Sequence, residues 1–391
     1  MCIRDSQTGE VLVCSFFSND VLQFDGATGA LSQNLVPSGT GDLFVATAMD
    51  MAPSGDLFVC SRGNGKILQF DGETGALLAE VGVVFGAHDL AVGPDGDLYV
   101  CTIGSPPVVR FDLENGGPAE EFVADGSGGL ALPVRLEWGS DGHLYVASRQ
   151  FDAVFRYDGQ SGAFVDLFVT PGDGGLTSLQ GMTFGPSGNL YLTSQNTGSI
   201  LEYDRDTGKF IRVVVDGADP EAPSQPHNIA IDQAGLLYVA DFVADSILRY
   251  QIADGAFVDV FVAPGISGMN GPEDILLRDP TPRLGLLEPT PVDPAFVAPS
   301  VLASYDAVPG EPVFFAAALV NDANELTFQG CPTLTVFLDS PRLLPMAPAN
   351  GDGIAALDLT FPPSVSGQTL FFQAVAPSSC RVSDVVRFAF P

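Results

Sequence analysis

The sequence predicts an all-β protein with two domains, a six-bladed β-propeller followed by a smaller β-sandwich. The first observation is a repeat in which a glycine opens a short apolar strand, and a second strand follows that usually ends in Phe-Asp or Tyr-Asp. The repeat glycines are spaced 46, 41, 46, 46 and 47 residues apart, at Gly9, Gly55, Gly96, Gly142, Gly188 and Gly235. The second observation is that this rhythm stops after Asp279. Because four short strands per repeat of this length are typical of propellers, six copies predict six blades.

The third copy shows how the strands of one blade are assigned. Alternation of apolar and polar residues predicts four strands, at His88–Val92, Leu98–Thr102, Val108–Asp112 and Glu120–Val123. The connecting turns, such as Gly93-Pro94-Asp95-Gly96, carry the Gly and Asp that tight hairpins need for positive φ angles. These turns are predicted to lie on one face of the propeller, the bottom face. The loops between second and third strands, and those between blades, then share the opposite, top face.

The first repeat lacks an innermost strand because Gly9 opens on the second strand of its blade. The segment Pro272–Asp279, at the other end of the repeats, has the pattern of an inner strand. Pairing it with the strand after Gly9 closes the ring and leaves no open sheet edge at the seam. Residues 9–279 are therefore predicted to form one closed domain.

The segments outside the repeats have a different character. Residues 1–8 match no repeat and resemble a translated adapter, so we interpret them as a non-native or truncated leader from which a signal peptide is missing. Residues 280–298 are rich in proline and predict a semi-rigid linker. Residues 299–391 predict a β-sandwich. Its candidate strands are 312–319, 333–338, 353–361, 369–375 and 382–390.

The charge balance limits the classes of partner. The chain of 391 residues has 16 Lys and Arg against 48 Asp and Glu, which gives a formal net charge of −32. An acidic surface repels phosphate groups, so neither nucleic acid nor an anionic membrane surface is an expected partner. No run of 18 or more apolar residues occurs, and no membrane span is predicted.

Three cysteines belong to the repeat pattern. Cys14, Cys60 and Cys101 stand five residues after their repeat glycines, where the other copies have alanine or threonine. Because they lie on three separate strands, we interpret them as buried, inert thiols rather than as metal ligands.

The repeat register also predicts which side chains surround the mouth of the central channel on the top face. Counting eight residues back from each glycine, and adding the closing strand, defines an inner ring: Thr47, His88, Val134, Gln180, His227 and Glu273. Counting seven residues forward defines an outer ring: Phe16, Arg62, Ile103, Arg149, Gln195 and Phe242. Asn228 and Asp274 directly follow two inner-ring residues.

This polar mouth is the candidate site. His227 and Glu273 lie on neighbouring blades and are candidate metal ligands that share one cation, with Gln180 and Asp274 nearby. His88 and His227 are the candidate catalytic residues, because an imidazole titrates near neutral pH and acts as a general base.

The remaining candidates at the mouth are ligand-binding residues. Arg62 and Arg149 are suited to holding a carboxylate. The other ligand-binding candidates are Gln180, Gln195, Asn228 and Asp274. The loop before His88 is five residues shorter than its counterparts, which opens access on that side. The alternative is that any propeller mouth collects polar residues because water fills it.

Two sequence motifs resemble known propeller families. The pattern Gly-x-Leu-Tyr-Val followed by Ile-Leu-x-Tyr-Asp resembles NHL-type six-bladed propellers, and Pro226-His227-Asn228-Ile229-Ala230-Ile231-Asp232 resembles an inner-strand motif of virginiamycin B (streptogramin) lyases. Those lyases use His and Glu at the channel with a divalent cation, so the resemblance implies His227 and Glu273 as its ligands. The chain lacks the Trp-Phe-Thr strands of these lyases, and it has two channel histidines where the related peptidyl amidating lyases use three. Both departures argue against an active lyase.

The C-terminal segment resembles a β-sandwich common in secreted bacterial proteins. The resemblance rests on residues 367–375 and on Cys380-Arg381-Val382-Ser383. Cys331 and Cys380 are the two cysteines of this segment, and in an exported protein they are expected to form a disulfide. The expected location is therefore extracellular or periplasmic.

These observations favour a protein that binds a small molecule, a glycan or a protein ligand at the top face. The alternative is a lyase or lactonase that uses a divalent cation at the same mouth. A third hypothesis, structural calcium at the Asp-Gly turns, is weaker because an Asp in a hairpin turn usually serves the turn itself. A metal bound by the channel residues would distinguish the first two.

Overall fold

A computed structural model describes residues 9–266 and 268–278, and beyond them the backbone of separate strands between residues 283 and 389. The chain divides into two compact units, one ending at Arg278 and the other beginning at Asp279. Residues 1–8, interpreted above as a leader, lie outside the described residues.

The first unit is a β-propeller of six sheets, each with four antiparallel strands. Blade 1 contains β1 (Glu10–Ser15), β2 (Asp20–Asp25), β3 (Leu31–Val36) and β24 (Pro272–Arg278). Blade 2 contains β4 (Ala46–Met51), β5 (Asp56–Ser61), β6 (Lys66–Asp71) and β7 (Leu77–Val83). Blade 3 contains β8 (Ala87–Val92), β9 (Leu98–Thr102), β10 (Val108–Phe111) and β11 (Glu120–Val123).

The other three blades repeat the same order from the inside outwards. Blade 4 contains β12 (Pro133–Trp138), β13 (Leu144–Ser148), β14 (Ala153–Tyr157) and β15 (Phe164–Val169). Blade 5 contains β16 (Leu179–Phe184), β17 (Leu190–Ser194), β18 (Ser199–Tyr203) and β19 (Phe210–Val215). Blade 6 contains β20 (Pro226–Ile231), β21 (Leu236–Asp241), β22 (Ser246–Gln251) and β23 (Phe257–Val262). Short 3-10 turns lie in three blade connections, at Thr40–Asp42, Ser127–Gly129 and Asp173–Gly175.

The six-bladed all-β prediction is confirmed, and the strands of the third copy begin and end within one residue of their predicted bounds. The inner strands β24, β4, β8, β12, β16 and β20 contact one another in that order around the channel. Strand β24 pairs antiparallel with β1, so that Leu276 lies opposite Leu12 and Ile275 opposite Val13.

The core lies between neighbouring blades. Each pair of adjacent blades shares one apolar cluster, as where Leu35 of blade 1 packs with Val59 of blade 2. Cys14, Cys60 and Cys101 are fully buried, as expected for small core residues. Burial raises the pKa of the Cys60 thiol to about 12, which keeps it protonated and inert.

The turns and connections set the shape of the two faces. Five of the repeat glycines, from Gly55 to Gly235, have φ angles between 78° and 89°, a region that favours glycine in the tight turns of the bottom face. On the top face, five of the six blade connections span nine or ten residues. The connection from blade 2 to blade 3 has only three, at 84–86, so the rim of the top face has a notch there.

The second unit is described by its strands alone. They are Arg283–Leu287, Ser300–Tyr305, Pro312–Leu319, Ala323–Phe328, Cys331–Asp339, Arg342–Leu343, Ala347–Pro348, Ala355–Leu359, Thr369–Ala376, Arg381–Val382 and Val386–Ala389. Its assignment as a β-sandwich stays a prediction, as does the proline-rich linker. Cys380 lies outside the described residues, so the disulfide with Cys331 also stays a prediction. Among the described residues, no helix has the length and apolar character needed to cross a membrane.

Candidate ligand-binding site at the channel mouth

Each inner strand has a β-bulge, and the bulge falls on the inner ring. The ladder between inner and second strand skips Thr47 in blade 2, His88 in blade 3 and Val134 in blade 4. It also skips Gln180, His227 and Glu273 in the remaining blades. A residue left out of the ladder is free of the strand register, and bulges often direct side chains at functional sites.

The inner ring separates the mouth from a cavity below it. All six inner-ring residues are buried, with at most 7% of the surface of any of them exposed. Below them lies a cavity of about 310 Å³, hereafter the lower cavity. It is lined by the residues that follow the inner ring, among them Asp89, Arg135, Asn228 and Asp274, and by no inner-ring residue.

Arg135 closes the channel between the two levels. Its guanidinium donates to Asp89 Oδ1 at 2.9 Å, and to the backbone carbonyls of Gln180 at 3.2 Å and Glu273 at 2.9 Å. It also lies 3.6 Å from Asp274 Oδ1. Because Asp89, Gln180 and Glu273 belong to blades 3, 5 and 1, this one side chain links the blade on either side of its own and the blade opposite.

His227 and Glu273 form a direct hydrogen bond in the inner ring. His227 Nδ1 lies 2.7 Å from Glu273 Oε2, and both side chains are buried. Burial acts to raise the pKa of Glu273, but the hydrogen bond from His227 and the positive charge of Arg135 outweigh it and lower that pKa. The carboxylate is therefore ionised at neutral pH and accepts the Nδ1 proton.

The second nitrogen of His227 is also engaged. Gln195 Nε2 lies 2.7 Å from His227 Nε2, while Gln195 Oε1 accepts from Arg149 Nη2 and from Ser178 Oγ, each at 3.1 Å. With the amide oxygen occupied, the amide nitrogen donates to His227 Nε2, so the ring donates through Nδ1 to Glu273. Phe242 stacks on the ring at 4.0 Å and 6°.

His88 has one nitrogen in use. Its Nδ1 lies 3.0 Å from the carbonyl of Val134 on the next blade, and Nε2 has no hydrogen-bond partner among the described residues. Burial, with contributions from Arg62 and Arg135, lowers the pKa of His88 to about 3. The imidazole is therefore neutral, donates through Nδ1 and offers Nε2 as an acceptor at any physiological pH.

The outer ring is held in place by one backbone hydrogen bond that repeats in every blade. The N–H of each outer-ring residue donates to the carbonyl of the residue just before an inner strand, at 2.8–3.2 Å. Arg62 donates in this way to Val45, and Arg149 to Leu132. The side chain of Arg62 is half-buried and makes no hydrogen bond or ion pair with the described residues.

Gln180 leaves hydrogen-bonding capacity unused at the mouth. Only 4% of its surface is exposed, and its buried Oε1 has no hydrogen-bond partner in the described part of the chain. A buried amide without a partner costs free energy, and a ligand or a water that bonds to it recovers that cost. Gln180, His88 and Arg62 are thus the groups at the mouth that a ligand can satisfy.

The lower cavity is rich in carboxylates that join neighbouring blades. Asp89 accepts from the backbone N–H of Leu136, and Asp50 from that of Val92, at 2.8 and 2.7 Å. Burial raises the pKa of Asp50 to about 6, that of Asp89 to about 7 and that of Glu137 to about 8. These acids act as blade-to-blade connections rather than as parts of the mouth.

The structure brings some of the candidate residues together and separates others. His227, Glu273, Gln195 and Arg149 form one hydrogen-bonded chain. His88 lies three blades away from His227. Asn228 and Asp274 line the lower cavity, where the Asn228 amide donates to Asp274 and Asp274 also accepts from the N–H of Met49.

The arrangement of His227 and Glu273 does not fit a resident cation. Their facing atoms are joined by a hydrogen bond, and the other ring nitrogen is joined to Gln195. No group of three or more His, Cys, Asp or Glu in the described residues is placed to hold a metal. Metal binding at this pair therefore stays a prediction.

Sequence reasoning assigned no role to two important residues. Arg135 stands one position after the inner ring, but the repeat pattern does not show that its guanidinium reaches three other blades. Thr193 occupies the position of the buried cysteines, and its hydroxyl accepts from the N–H of Gly181 at 2.6 Å and donates to the carbonyl of His227 at 3.1 Å. Its polar side chain at an otherwise apolar repeat position was the available signal.

Comparisons with known proteins identify the fold. Neither a protein-family model nor a curated protein matches the chain. A chain from the nidogen/laminin complex matches with TM-score 0.54 and 12% identity, over 65% of this chain and 93% of that one. A protein from Bacteroides caccae matches with TM-score 0.52 and 13% identity, over 68% and 97%. A streptogramin B lyase matches with TM-score 0.49 and 18% identity, over 65% and 83%. At these identities the likeness shows the propeller fold alone.

Proposed function

We propose that this protein binds a small ligand at the channel mouth on its top face. The observation that supports the proposal is the unused hydrogen-bonding capacity of the inner ring: the buried, unpaired amide oxygen of Gln180 and the free Nε2 of His88. Both residues lie at the bulges of their inner strands, in blades 5 and 3. Polar groups left unpaired inside a folded protein are characteristic of sites that a ligand completes.

A lyase or lactonase acting at the same mouth is the second candidate. It is favoured by the buried His227–Glu273 hydrogen bond, since an ionised carboxylate orients an imidazole and strengthens it as a base. To accept a proton, His227 Nε2 must first be released by Gln195. An extracellular or periplasmic location is part of the proposal and rests on the sequence resemblance of the C-terminal segment.

A ligand-observed NMR screen of the full chain tests both candidates. The mixtures contain carboxylic acids, amines, monosaccharides and short peptides, and each hit is followed over time. We expect binding that is lost in Gln180→Leu, in His88→Leu or in both, and retained in Arg205→Gln, an exposed arginine on the bottom face. Gln180→Leu keeps the side-chain volume and removes an unpaired buried amide, so its melting temperature should not fall.

The outcomes separate the two candidates. Hits whose signals stay constant support a binding protein, and hits that convert to products support the enzyme. Hits that bind both Gln180→Leu and His88→Leu as tightly as the parent chain, or the absence of any hit, would contradict the proposal.

A further inference from the structure

Two arginines at the channel mouth stand apart from the others. Of the nine arginines in residues 9–266 and 268–278, seven are ion-paired with a carboxylate. The two without an ion pair, Arg62 and Arg149, both belong to the outer ring. Arg149 is exposed and solvated, but Arg62 is half-buried, and a half-buried guanidinium without a carboxylate partner is suited to holding an anion that is not part of the chain.

Arg62 and Arg149 are not equivalent. Arg149 already donates to Gln195 and holds it against His227. Arg62 has no side-chain partner among the described residues. It stands in the outer ring of blade 2, next to the blade that carries His88, and its charge contributes to lowering the pKa of that imidazole. The free anion-binding group is therefore Arg62, beside the free acceptor His88 Nε2.

Exposed apolar side chains surround this pair. Phe44, Phe85 and Ile103 are 54%, 82% and 42% exposed. The ring of Phe44 covers Gly63, the residue after Arg62, and Phe85 belongs to the three-residue connection directly before β8. Phe85 and Ile103 border the notch in the rim, since a Cβ at Gly86 would lie 3.1 Å from Ile103. Phe44 belongs to the connection between blades 1 and 2.

The three features define one ligand. We infer that the notch between blades 2 and 3 binds a 2-hydroxy- or 2-amino-carboxylate with an apolar side chain. The carboxylate bonds to Arg62, the hydroxyl or ammonium group donates to His88 Nε2, and the apolar side chain lies against Phe44, Phe85 and Ile103. This inference rests on the proposed function, because it uses the same mouth.

The charges at the mouth exclude related ligands. An amine without an anionic group would face the unpaired guanidinium of Arg62. A dicarboxylate would bring its second charge towards the ionised Glu273 of the inner ring. A carboxylate without a neighbouring donor would leave His88 Nε2 unpaired, which removes one hydrogen bond from the complex.

Four probes of one size test these requirements by isothermal titration calorimetry on the full chain. They are 3-phenyllactate with a hydroxyl, phenylalanine with an ammonium group, 3-phenylpropanoate with neither, and 3-phenyllactamide with no charge. We expect 3-phenyllactate, phenylalanine or both to bind. Comparing these two probes shows whether His88 Nε2 accepts a hydrogen bond from a hydroxyl or from an ammonium group. Loss of the donor or of the charge should weaken binding at least tenfold.

Matched variants connect the probes to the residues. Arg62→Gln should weaken the binding of 3-phenyllactate or phenylalanine at least tenfold. It should leave the binding of 3-phenyllactamide unchanged, since the uncharged amide makes no ion pair with Arg62. Phe85→Ala should weaken the binding of the phenyl compounds and have no effect on the binding of lactate. Arg205→Gln is the control and should bind every probe as the parent chain does.

The result that overturns this inference differs from the one that overturns the proposed function. If none of the four probes binds while other compounds bind and are lost in Gln180→Leu, the ligand class is wrong and the mouth is still the site. If the probes bind equally well to Arg62→Gln, the carboxylate is not held by Arg62 and the inference also fails. If no compound depends on Gln180 or on His88, the proposed function itself fails.

Discussion

At the scale of single residues, Arg135 is the side chain on which the channel depends most. A buried guanidinium is tolerated only when its desolvation is offset by hydrogen bonds and opposite charge, and Arg135 has Asp89, Asp274 and two carbonyls. The carboxylates need it equally, because burial already raises the pKa values of Asp89 and Asp274 despite its charge. Arg135 thus neutralises the centre of an acidic channel.

We expect Arg135→Met to destabilise the protein by about 3–5 kcal/mol, because it leaves buried carboxylates without their counter-charge. This loss of stability should be smaller at pH 5 than at pH 8, since protonating Asp89 at low pH relieves the repulsion between the buried carboxylates. Urea denaturation at the two pH values measures both effects. Arg205→Met, at an exposed position, should change stability by less than about 0.5 kcal/mol. Equal effects of the two substitutions would show that Arg135 is not a structural centre.

The site could be predicted from the sequence only in part. The repeat register placed His227 next to Glu273, and the structure joins them by a hydrogen bond. The register could not show that Gln195 would reach His227, because that contact depends on side-chain torsions and not on strand position. For the same physical reason it placed Asp274 near the mouth, whereas the side chain points into the lower cavity.

At the scale of elements, the start of each inner strand combines a bulge with an unusual backbone conformation. The residue just before the strand is left-handed in five blades, with Val45, Gly86, Leu132, Ser178 and Gly271 at φ angles of 45–78°. Its carbonyl accepts the N–H of an outer-ring residue, so this conformation positions the outer ring. For a β-branched residue such as Val45, however, the left-handed region is strained.

We therefore expect Val45→Gly to stabilise the propeller by about 1 kcal/mol. This is the net of two effects: glycine releases the backbone strain, but it also gives the unfolded chain more conformational freedom. The reciprocal change, Gly86→Val, should destabilise it by more. It introduces the strain and places a Cβ 3.1 Å from the side chain of Ile103. Urea midpoints at unchanged m-value report both effects. A Val45→Gly variant that is less stable than the parent would show that the packing of the valine side chain stabilises the propeller by more than the strained backbone destabilises it.

At the scale of the whole molecule, the sequence predicted the propeller because its information is repeated. Six copies of one strand pattern fix the blade count even where a single copy is ambiguous, as at blade 3 with its short connection. The segments after Arg278 lack such a repeat. Their strands could be proposed one at a time from alternation, but their arrangement depends on long-range pairing that no single segment encodes.

The propeller should depend on its last strand. A chain ending at Arg278 keeps the six residues of β1 paired with β24, whereas a chain ending at Gly271 leaves β1 as an open edge and removes Ile275 from the cluster between blades 6 and 1. It also removes Glu273 and Asp274, two partners of Arg135. Net stabilities of domains are only about 5–15 kcal/mol, and these losses together are of that order. We expect calorimetry to show one cooperative unfolding transition for the longer chain, at the melting temperature that the propeller has in the full protein. The shorter chain should show no such transition. Equal melting temperatures for the two chains would mean that β24 is dispensable and that the ring closes without it.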